Sequence, residues 1–206
     1  MKVIRDKVLI ADCETTGVSG TDQVIELAYF PAPENIRDWV ADYISSDFDN
    51  YYVDTIYNER FKPSVPINPH AYKVHGIGKI HLLKCRPSTE AVIPTDTKYL
   101  IGHNIAFDYR MLGKPENLLL IDTLVIVRIL RKLGMLTNDE MDGKDKLDVL
   151  VEHYYPTIAS TLIKPLHSAL DDCYKVVLLL AEILRLFPNV NTWDALYELQ
   201  TMGKKK

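Results

Sequence analysis

Short apolar runs rich in β-branched residues recur along the chain and predict five β-strands. Each run is bounded by turn residues or prolines, as strands usually are. The predicted strands are residues 2–13, 24–30, 51–61, 98–101 and 118–122. The first three follow one another along the chain, and the first connection is too short for a parallel crossover, so they predict an antiparallel meander.

Apolar residues spaced three and four apart predict helices between and after the later strands. The strongest pattern covers 168–187, where Val176, Val177, Leu180 and Ile183 form one stripe. Further helices are expected over 70–77, 102–112, 123–133, 146–155 and 192–200, a loop or short helix over 34–50, a helix and loop over 79–97, and a mobile loop over 135–144. A meander followed by alternating helices and strands predicts an α/β fold in which one mixed sheet has helices on both faces.

Length and composition fit one globular domain of this kind. The 206 residues are 47% hydrophobic and 25% charged, which is ordinary for a protein with a sizeable core. We expect a single domain over 1–206, in which 188–206 form a C-terminal extension with a short helix and a basic tail. With a net charge of −4, the protein has no overall positive charge that could hold a long nucleic acid. A nucleic-acid partner would be bound locally, with bound cations supplying part of the positive charge.

The cysteines and the N-terminal residues favour a reduced, cytoplasmic setting. Cys13, Cys85 and Cys173 form no CxxC pair and are odd in number, which argues against a disulfide framework. The first residues, MKVIRDKVLIADC, mix charges with apolar residues and do not resemble a signal peptide. No apolar run approaches membrane-spanning length, so no membrane partner is expected.

The stretch VLIADCETTG carries two carboxylates at the end of the first predicted strand. Side chains alternate along a strand, so Asp12 and Glu14 share one face and Cys13 points into the opposite layer. Two acids on a buried face repel each other and are costly to desolvate, which favours a hard divalent cation such as Mg²⁺ or Mn²⁺ between them. The alternative is that both acids lie at a strand end in water.

Two further acidic positions stand in distinctive surroundings. Asp108 lies one helical turn after Asn104 in HNIAFDYRML, so their side chains share a face. The alternative for Asp108 is a solvated surface position near the start of a helix. Asp171 and Asp172 open the long apolar helix and follow His167. Capping of the helix dipole would explain one of these two acids but not the histidine upstream.

Taken together, the three stretches DCETTG, GHNIAFD and HSALDD resemble, in this order, the three motifs of the DnaQ-like or DEDDh family of 3'-to-5' exonucleases. The connecting segments QVIELAYF, PINPHAYKVHGI and IDTLVIVRIL are also similar to that family, so the resemblance covers almost the whole chain. It extends to the exodeoxyribonuclease X branch over HSALDDCYKVVLLLAEIL and TWDALYEL. The resemblance implies a ribonuclease H-like three-layer fold around a mixed five-stranded sheet.

The resemblance also implies a role for each motif residue. The metal-binding acids would be Asp12, Glu14, Asp108 and Asp172, which together hold two Mg²⁺ or Mn²⁺ ions. His167 would be the general base, because it stands five residues before the last acid, as in the histidine subfamily. The substrate-binding positions would be Thr15, Thr16, Gly17, His75 and Asn104. His70 departs from the family, since many relatives have Glu at this position.

The function implied is a metal-dependent exonuclease that removes nucleoside 5'-monophosphates from the 3' end of DNA, preferentially single-stranded. Its partners would be single-stranded DNA or DNA 3' ends, and a DNA polymerase or replication and repair proteins are further candidates. One alternative keeps the chemistry but acts on RNA. A second alternative is a non-catalytic module that binds nucleic acid or a polymerase. The oligomeric state stays open.

Overall fold

The fold is built on one mixed sheet whose central strand carries the first acidic pair. The computed structural model describes residues 7–33, 35–44, 56–136 and 142–202. Within these residues, the strands are β1 (Lys7–Thr15), β2 (Val24–Pro31), β3 (Tyr57–Lys62), β4 (Arg86–Pro87), β5 (Thr97–Gly102) and β6 (Leu119–Asp122). Their order across the sheet is β4-β3-β2-β1-β5-β6.

The strand directions agree with the predicted topology. β1, β2 and β3 pair antiparallel, and β1, β5 and β6 pair parallel. The meander and the mixed sheet are therefore confirmed. The two-residue strand β4 adds a sixth strand to the predicted five by pairing parallel with β3. An Arg-Pro dipeptide has no strand pattern of its own, so this pairing comes from its neighbours in the fold.

Nine α-helices lie within the described residues. They are α1 (Ile36–Ile44), α2 (Pro69–His75), α3 (Lys79–Leu82), α4 (Ile105–Met111), α5 (Thr123–Lys132), α6 (Leu147–Tyr154), α7 (Pro156–Leu162), α8 (Ala169–Leu186) and α9 (Trp193–Met202). In addition, residues 88–90 form a short 3-10 helix.

The largest core lies between α8 and the sheet. Val8 and Ile10 of β1 face this side and pack with Val177 and Leu180 of α8. Helices α1, α5, α6 and α7 contact α8 in turn, and α9 packs on β6 and α5. This layer is apolar because β1 alternates its side chains between faces and α8 is buried over most of its length.

The opposite face of the sheet is covered by α4 and α3. Leu9 and Ala11 of β1 pack here with Ile105, the first residue of α4, while Cys13 belongs to a neighbouring cluster with Phe61. Helix α3 contacts β3. With helices on both faces, the three-layer α/β architecture is confirmed.

Helix α7 was not predicted from the sequence. The helix predicted over 146–155 ends before Pro156, as α6 does, but Pro156 also stands at the first position of a further helix, α7. Proline is favoured at this position because its fixed φ suits the first turn and its missing N–H needs no partner there. Helix α1 occupies part of the predicted 34–50 loop or helix. The predictions for 2–6, 51–55 and 204–206, and for the middle of the 135–144 loop, lie outside the described residues.

Across the described part of the chain, the helices are all too short or too polar to cross a membrane.

Candidate active site

The two acids of β1 lie on the face that α8 covers. Asp12 is half-buried and Glu14 is only 8% exposed, while Cys13 is buried on the opposite face. The shared face of the two acids agrees with the strand alternation in the sequence. The burial of Glu14 rules out the alternative in which both acids stand in water at a strand end.

The third acid comes from α4 and contacts the backbone of β1 between Asp12 and Glu14. Gly102 allows the end of β5 to come close to β1, since a Cβ at this position would lie 2.8 Å from the Ala11 carbonyl oxygen. Helix α4 begins three residues later, and Asp108 Oδ1 accepts the backbone N–H of Cys13 at 2.9 Å. Asp108 is 4% exposed, so it is not a solvated surface residue.

The last acid and the histidine come from α8 and the loop before it. His167 Nδ1 lies 3.3 Å from Asp172 Oδ2, and the His167 backbone N–H donates to the Val74 carbonyl at 2.9 Å. The adjacent acid, Asp171, instead pairs with Lys164 at 2.7 Å. The two neighbouring acids therefore have different surroundings, and only Asp172 joins His167.

Three of these side chains meet in one cluster. Ligand atoms of Glu14, His167 and Asp172 lie within 4.8 Å of one another. Burial raises the pKa of Asp12 well above its ordinary value, and the nearby charges of Asp108, Asp172 and Glu14 raise it further. Asp12 and Asp108 are therefore near enough to this group for their charges to interact with it.

Burial disfavours the charged forms of several of these acids. Burial, followed by repulsion from Asp172, raises the pKa of Glu14 to about 7. Burial raises the pKa of Asp108 to about 7, although hydrogen bonds from Cys13 oppose the rise. At Asp172 burial acts in the same direction, but hydrogen bonds from His167 and the charge of Lys175 outweigh it and lower the pKa. His167 has a raised pKa, mainly because of its hydrogen bond to Asp172.

This donor set fits hard divalent cations. Carboxylate oxygens are the ligands that Mg²⁺ and Mn²⁺ prefer, and a cation would stabilise the charged forms that burial and mutual repulsion now disfavour. The buried carboxylates of Glu14 and Asp108, with their raised pKa values, are the observation that supports this fit.

A cavity of about 290 Å³ opens beside the acids. Its lining includes Glu14, Thr15 and Gly17 from the first motif and His70 and His75 from α2. Val18, Val74 and Phe107 add apolar surface to the same cavity. Three of the five predicted substrate-binding residues therefore line one cavity next to the acidic cluster.

Thr16 does not line this cavity. Its side chain is fully buried, and its hydroxyl donates to Asp22 at 2.8 Å and accepts the Gln23 N–H at 2.9 Å. Gly17 follows, where a Cβ would lie 2.7 Å from the Asp22 carboxylate. The Thr-Gly turn is thus shaped by Asp22, and Thr16 supports it from inside.

His75 and Asn104 have contrasting positions. His75 is 5% exposed, and its Nδ1 accepts the Ile77 N–H at 2.9 Å, so the proton of the neutral ring is on Nε2. Burial lowers the pKa of His75, which favours that neutral form. Asn104 is exposed and does not line the cavity, and its backbone N–H donates to Asp122 at 2.9 Å.

Sequence analysis missed two charged residues at the edge of this cluster. Lys175 Nζ lies 2.7 Å from both Asp172 Oδ1 and Asp148 Oδ1, and its side chain is 2% exposed. Asp148 Oδ2 lies 3.8 Å from His167 Nε2. The signal for Lys175 was a lysine three residues after Asp172 in an otherwise apolar helix. Asp148 gave no comparable signal, because an acid in the first turn of a helix is common.

A family model described as an exonuclease matches residues 9–180 of this chain. No curated protein matches the sequence. Among solved structures, exonuclease X in complex with 5' overhanging duplex DNA is 22% identical, with a TM-score of 0.63 over 94% of this chain and 99% of that one.

Two structures of exonuclease I are also similar. The E. coli enzyme in complex with a dT13 oligonucleotide is 17% identical, with a TM-score of 0.65 over 90% of this chain and 42% of that one. A complex described as ExoI/SSB-Ct is 16% identical, with a TM-score of 0.62 over 94% of this chain and 43% of that one. This chain therefore spans less than half of exonuclease I. These structural likenesses support the fold. Because the family model matches most of the chain, the chain belongs to the DnaQ-like family of exonucleases.

Proposed function

We propose that this chain is a metal-dependent 3'-to-5' exonuclease that hydrolyses DNA, preferentially single-stranded, and releases nucleoside 5'-monophosphates. The observation that carries the proposal is the cluster of Glu14 and Asp172 with His167, beside a cavity next to the first motif, with the charges of Asp12 and Asp108 acting in the same neighbourhood. Membership of the exonuclease family supports the same reaction.

The proposed metal ligands are Asp12, Glu14, Asp108 and Asp172, which would hold two Mg²⁺ or Mn²⁺ ions. When bound, such ions supply the positive charge that activates a water molecule and stabilises the leaving 3' oxygen. The chain itself orients the ligands. The Cys13 N–H fixes one oxygen of Asp108, and His167 and Lys175 each contact an oxygen of Asp172.

We assign His167 the role of general base. Its ring is 40% exposed and stands at the edge of the cluster, so water can reach it. With Nδ1–H donating to Asp172, the other ring nitrogen keeps a lone pair that can accept a proton. As the water oxygen bonds to phosphorus and the bond from phosphorus to the 3' oxygen breaks, the water proton would pass to this imidazole.

The cavity would take the nucleotide at the 3' end. Thr15 donates its hydroxyl to the Gly17 carbonyl at 2.7 Å, which closes the turn at one wall. Val18 is 76% exposed and, with Phe107 and Val74, offers apolar surface on which a base can stack. His75 closes the cavity on the α2 side.

DNA is the proposed substrate because the solved relatives were described with DNA. Exonuclease X was bound to a 5' overhanging duplex and exonuclease I to dT13. We also propose that the residues from 188 belong to the exonuclease domain, which the packing of α9 on β6 and α5 supports. A cytoplasmic location and association with a polymerase or with replication and repair proteins stay predictions.

The substrate is tested with DNA and RNA oligonucleotides of the same sequence, incubated with the purified protein and Mg²⁺ or Mn²⁺. We expect faster digestion of single-stranded DNA, and faster digestion of RNA would overturn the DNA assignment. Asp108→Asn and His167→Ala should each lower the rate by about a hundredfold or more. Asp171→Asn is the matched control, because this acid pairs with Lys164, and it should stay near the wild-type rate. Unchanged activity in the first two variants would contradict the site.

A further inference from the structure

A buried lysine forms part of the acidic cluster without belonging to the proposed metal ligands or the general base. Lys175 lies one turn after Asp172 on α8, and its side chain is 2% exposed. Lysine is rarely buried unless a carboxylate compensates its charge. Here two carboxylates do so, since Nζ lies 2.7 Å from an oxygen of Asp172 and 2.7 Å from an oxygen of Asp148.

Lys175 and His167 contact different oxygens of Asp172. Oδ1 is occupied by the ammonium group, and Oδ2 faces His167 Nδ1 at 3.3 Å. The carboxylate therefore cannot rotate without losing one of these bonds. The charge of Lys175 also reaches β1, where it opposes the rise in the pKa of Asp12.

Asp148 holds the lysine from the opposite side. It belongs to the first turn of α6, and α6 packs on α8. Its second oxygen lies 3.8 Å from His167 Nε2, so the acid also adds negative charge near the proposed base. Lys175, Asp172, His167 and Asp148 thus form a closed ring of charged and polar side chains.

We propose that Lys175 is a resident cation of the active site, which fixes Asp172 and weakens the binding of divalent ions, with Asp148 as the acid that holds it in place. This inference rests on the proposed function. The four proposed metal ligands and Asp148 make five carboxylates. Without Lys175 they would bind a divalent ion more tightly than they do with it, because each unit of negative charge beside the ion adds attraction. A lysine that stays in the site lowers this attraction and keeps the ions exchangeable.

The test is Mn²⁺ binding by isothermal titration calorimetry, without substrate, in four proteins that form a double-mutant cycle. Lys175→Met removes a positive charge and should bind Mn²⁺ about tenfold more tightly than the wild type. Asp148→Asn removes a negative charge but keeps an oxygen for Lys175, and should bind Mn²⁺ several-fold more weakly. The double variant restores the charge balance and should return to within about threefold of the wild type.

The order of the affinities decides the proposal. Equal or weaker binding in Lys175→Met would overturn it and leave the lysine as a structural link between α6 and α8. If Lys175→Met does not fold without metal, the double variant is compared with Asp148→Asn, since these two proteins differ only in the charge of Lys175. Mn²⁺ binding that is equal or weaker in the double variant would contradict the proposal. A wild type that binds no Mn²⁺ would instead refute the metal site and with it the proposed function.

Discussion

Replacing Asp108 with Asn should make the metal-free protein more stable at neutral pH. Asp108 is 4% exposed, and burial raises its pKa from 3.8 to about 7. A carboxyl group with a raised pKa in the folded state contributes stability at low pH, and that contribution is lost as the pH rises through the folded value. The change to Asn removes the charge and keeps an oxygen that can accept the Cys13 N–H.

The size of the effect follows from the pKa of Asp108. Between pH 5 and pH 8, ionisation of a group shifted in this way costs about 3 kcal/mol of folding free energy. For a chain of this length, 1 kcal/mol changes the melting temperature by roughly 2 to 4 °C. The gap between the Asp108→Asn variant and the wild type should therefore widen by roughly 6 to 12 °C over this range. Burial lowers the pKa values of His75 and His103, so their contribution to the stability of the folded protein increases as the pH rises. This contribution is the same in both proteins.

The assay is thermal unfolding followed by circular dichroism at pH 5 and pH 8, first with EDTA and then with Mn²⁺. At pH 8, Mn²⁺ should raise the melting temperature of the wild type and raise that of Asp108→Asn less. A gap that stays constant or narrows with rising pH in EDTA would refute the reasoning, since it would mean that Asp108 carries its charge without cost. An equal response of both proteins to Mn²⁺ would show that this acid does not bind the ion.

Three further changes test the catalytic base, the turn and the support of α8. His167→Ala should lower kcat on single-stranded DNA by about 10²- to 10⁴-fold with little change in KM, measured by steady-state kinetics. Gly17→Ala should cost about 1 to 3 kcal/mol in urea unfolding because its Cβ would meet Asp22, whereas Gly20→Ala, with open space around it, should be nearly neutral. Glu26→Ala should cost about 2 kcal/mol in the same assay, because Glu26 accepts the first N–H of α8 and an Arg60 hydrogen bond. Equal stability of the two glycine variants, a neutral Glu26 change or an unchanged kcat would contradict these assignments.

The strand pattern predicted which face of β1 each residue of the first motif occupies. Alternation along β1 places Asp12 and Glu14 on one face and Cys13 on the other, and this depends only on local geometry. The order of the three motifs predicted that Asp108 and Asp172 would join them, although they lie far apart in the chain. The choice of Asp172 over Asp171 came from the resemblance to the third motif, and in the structure Asp172 lies beside His167 while Asp171 pairs with Lys164.

Contacts between distant segments were harder to predict. Strand β4 forms because β3 offers it a partner. Helix α7 begins at Pro156, directly after α6, where the sequence pattern indicated only the end of a helix. Thr16 was expected at the substrate, but Asp22 binds its hydroxyl and turns it inward. Lys175 sits on the predicted helix, yet its pairing with Asp148 depends on how α6 packs against α8. Periodicity along one segment carries no information on such pairings.

Digestion of single-stranded DNA labelled at its 5' end tests the central claim most directly. The purified protein is incubated with the labelled oligonucleotide and Mn²⁺, and the products are followed on a sequencing gel and by chromatography of the released nucleotides. We predict a ladder of 5'-labelled fragments that shortens one nucleotide at a time, with nucleoside 5'-monophosphates as the product and no ladder in EDTA or with Asp108→Asn. Immediate release of the labelled terminal nucleotide, or an intact oligonucleotide in Mn²⁺, would contradict the account.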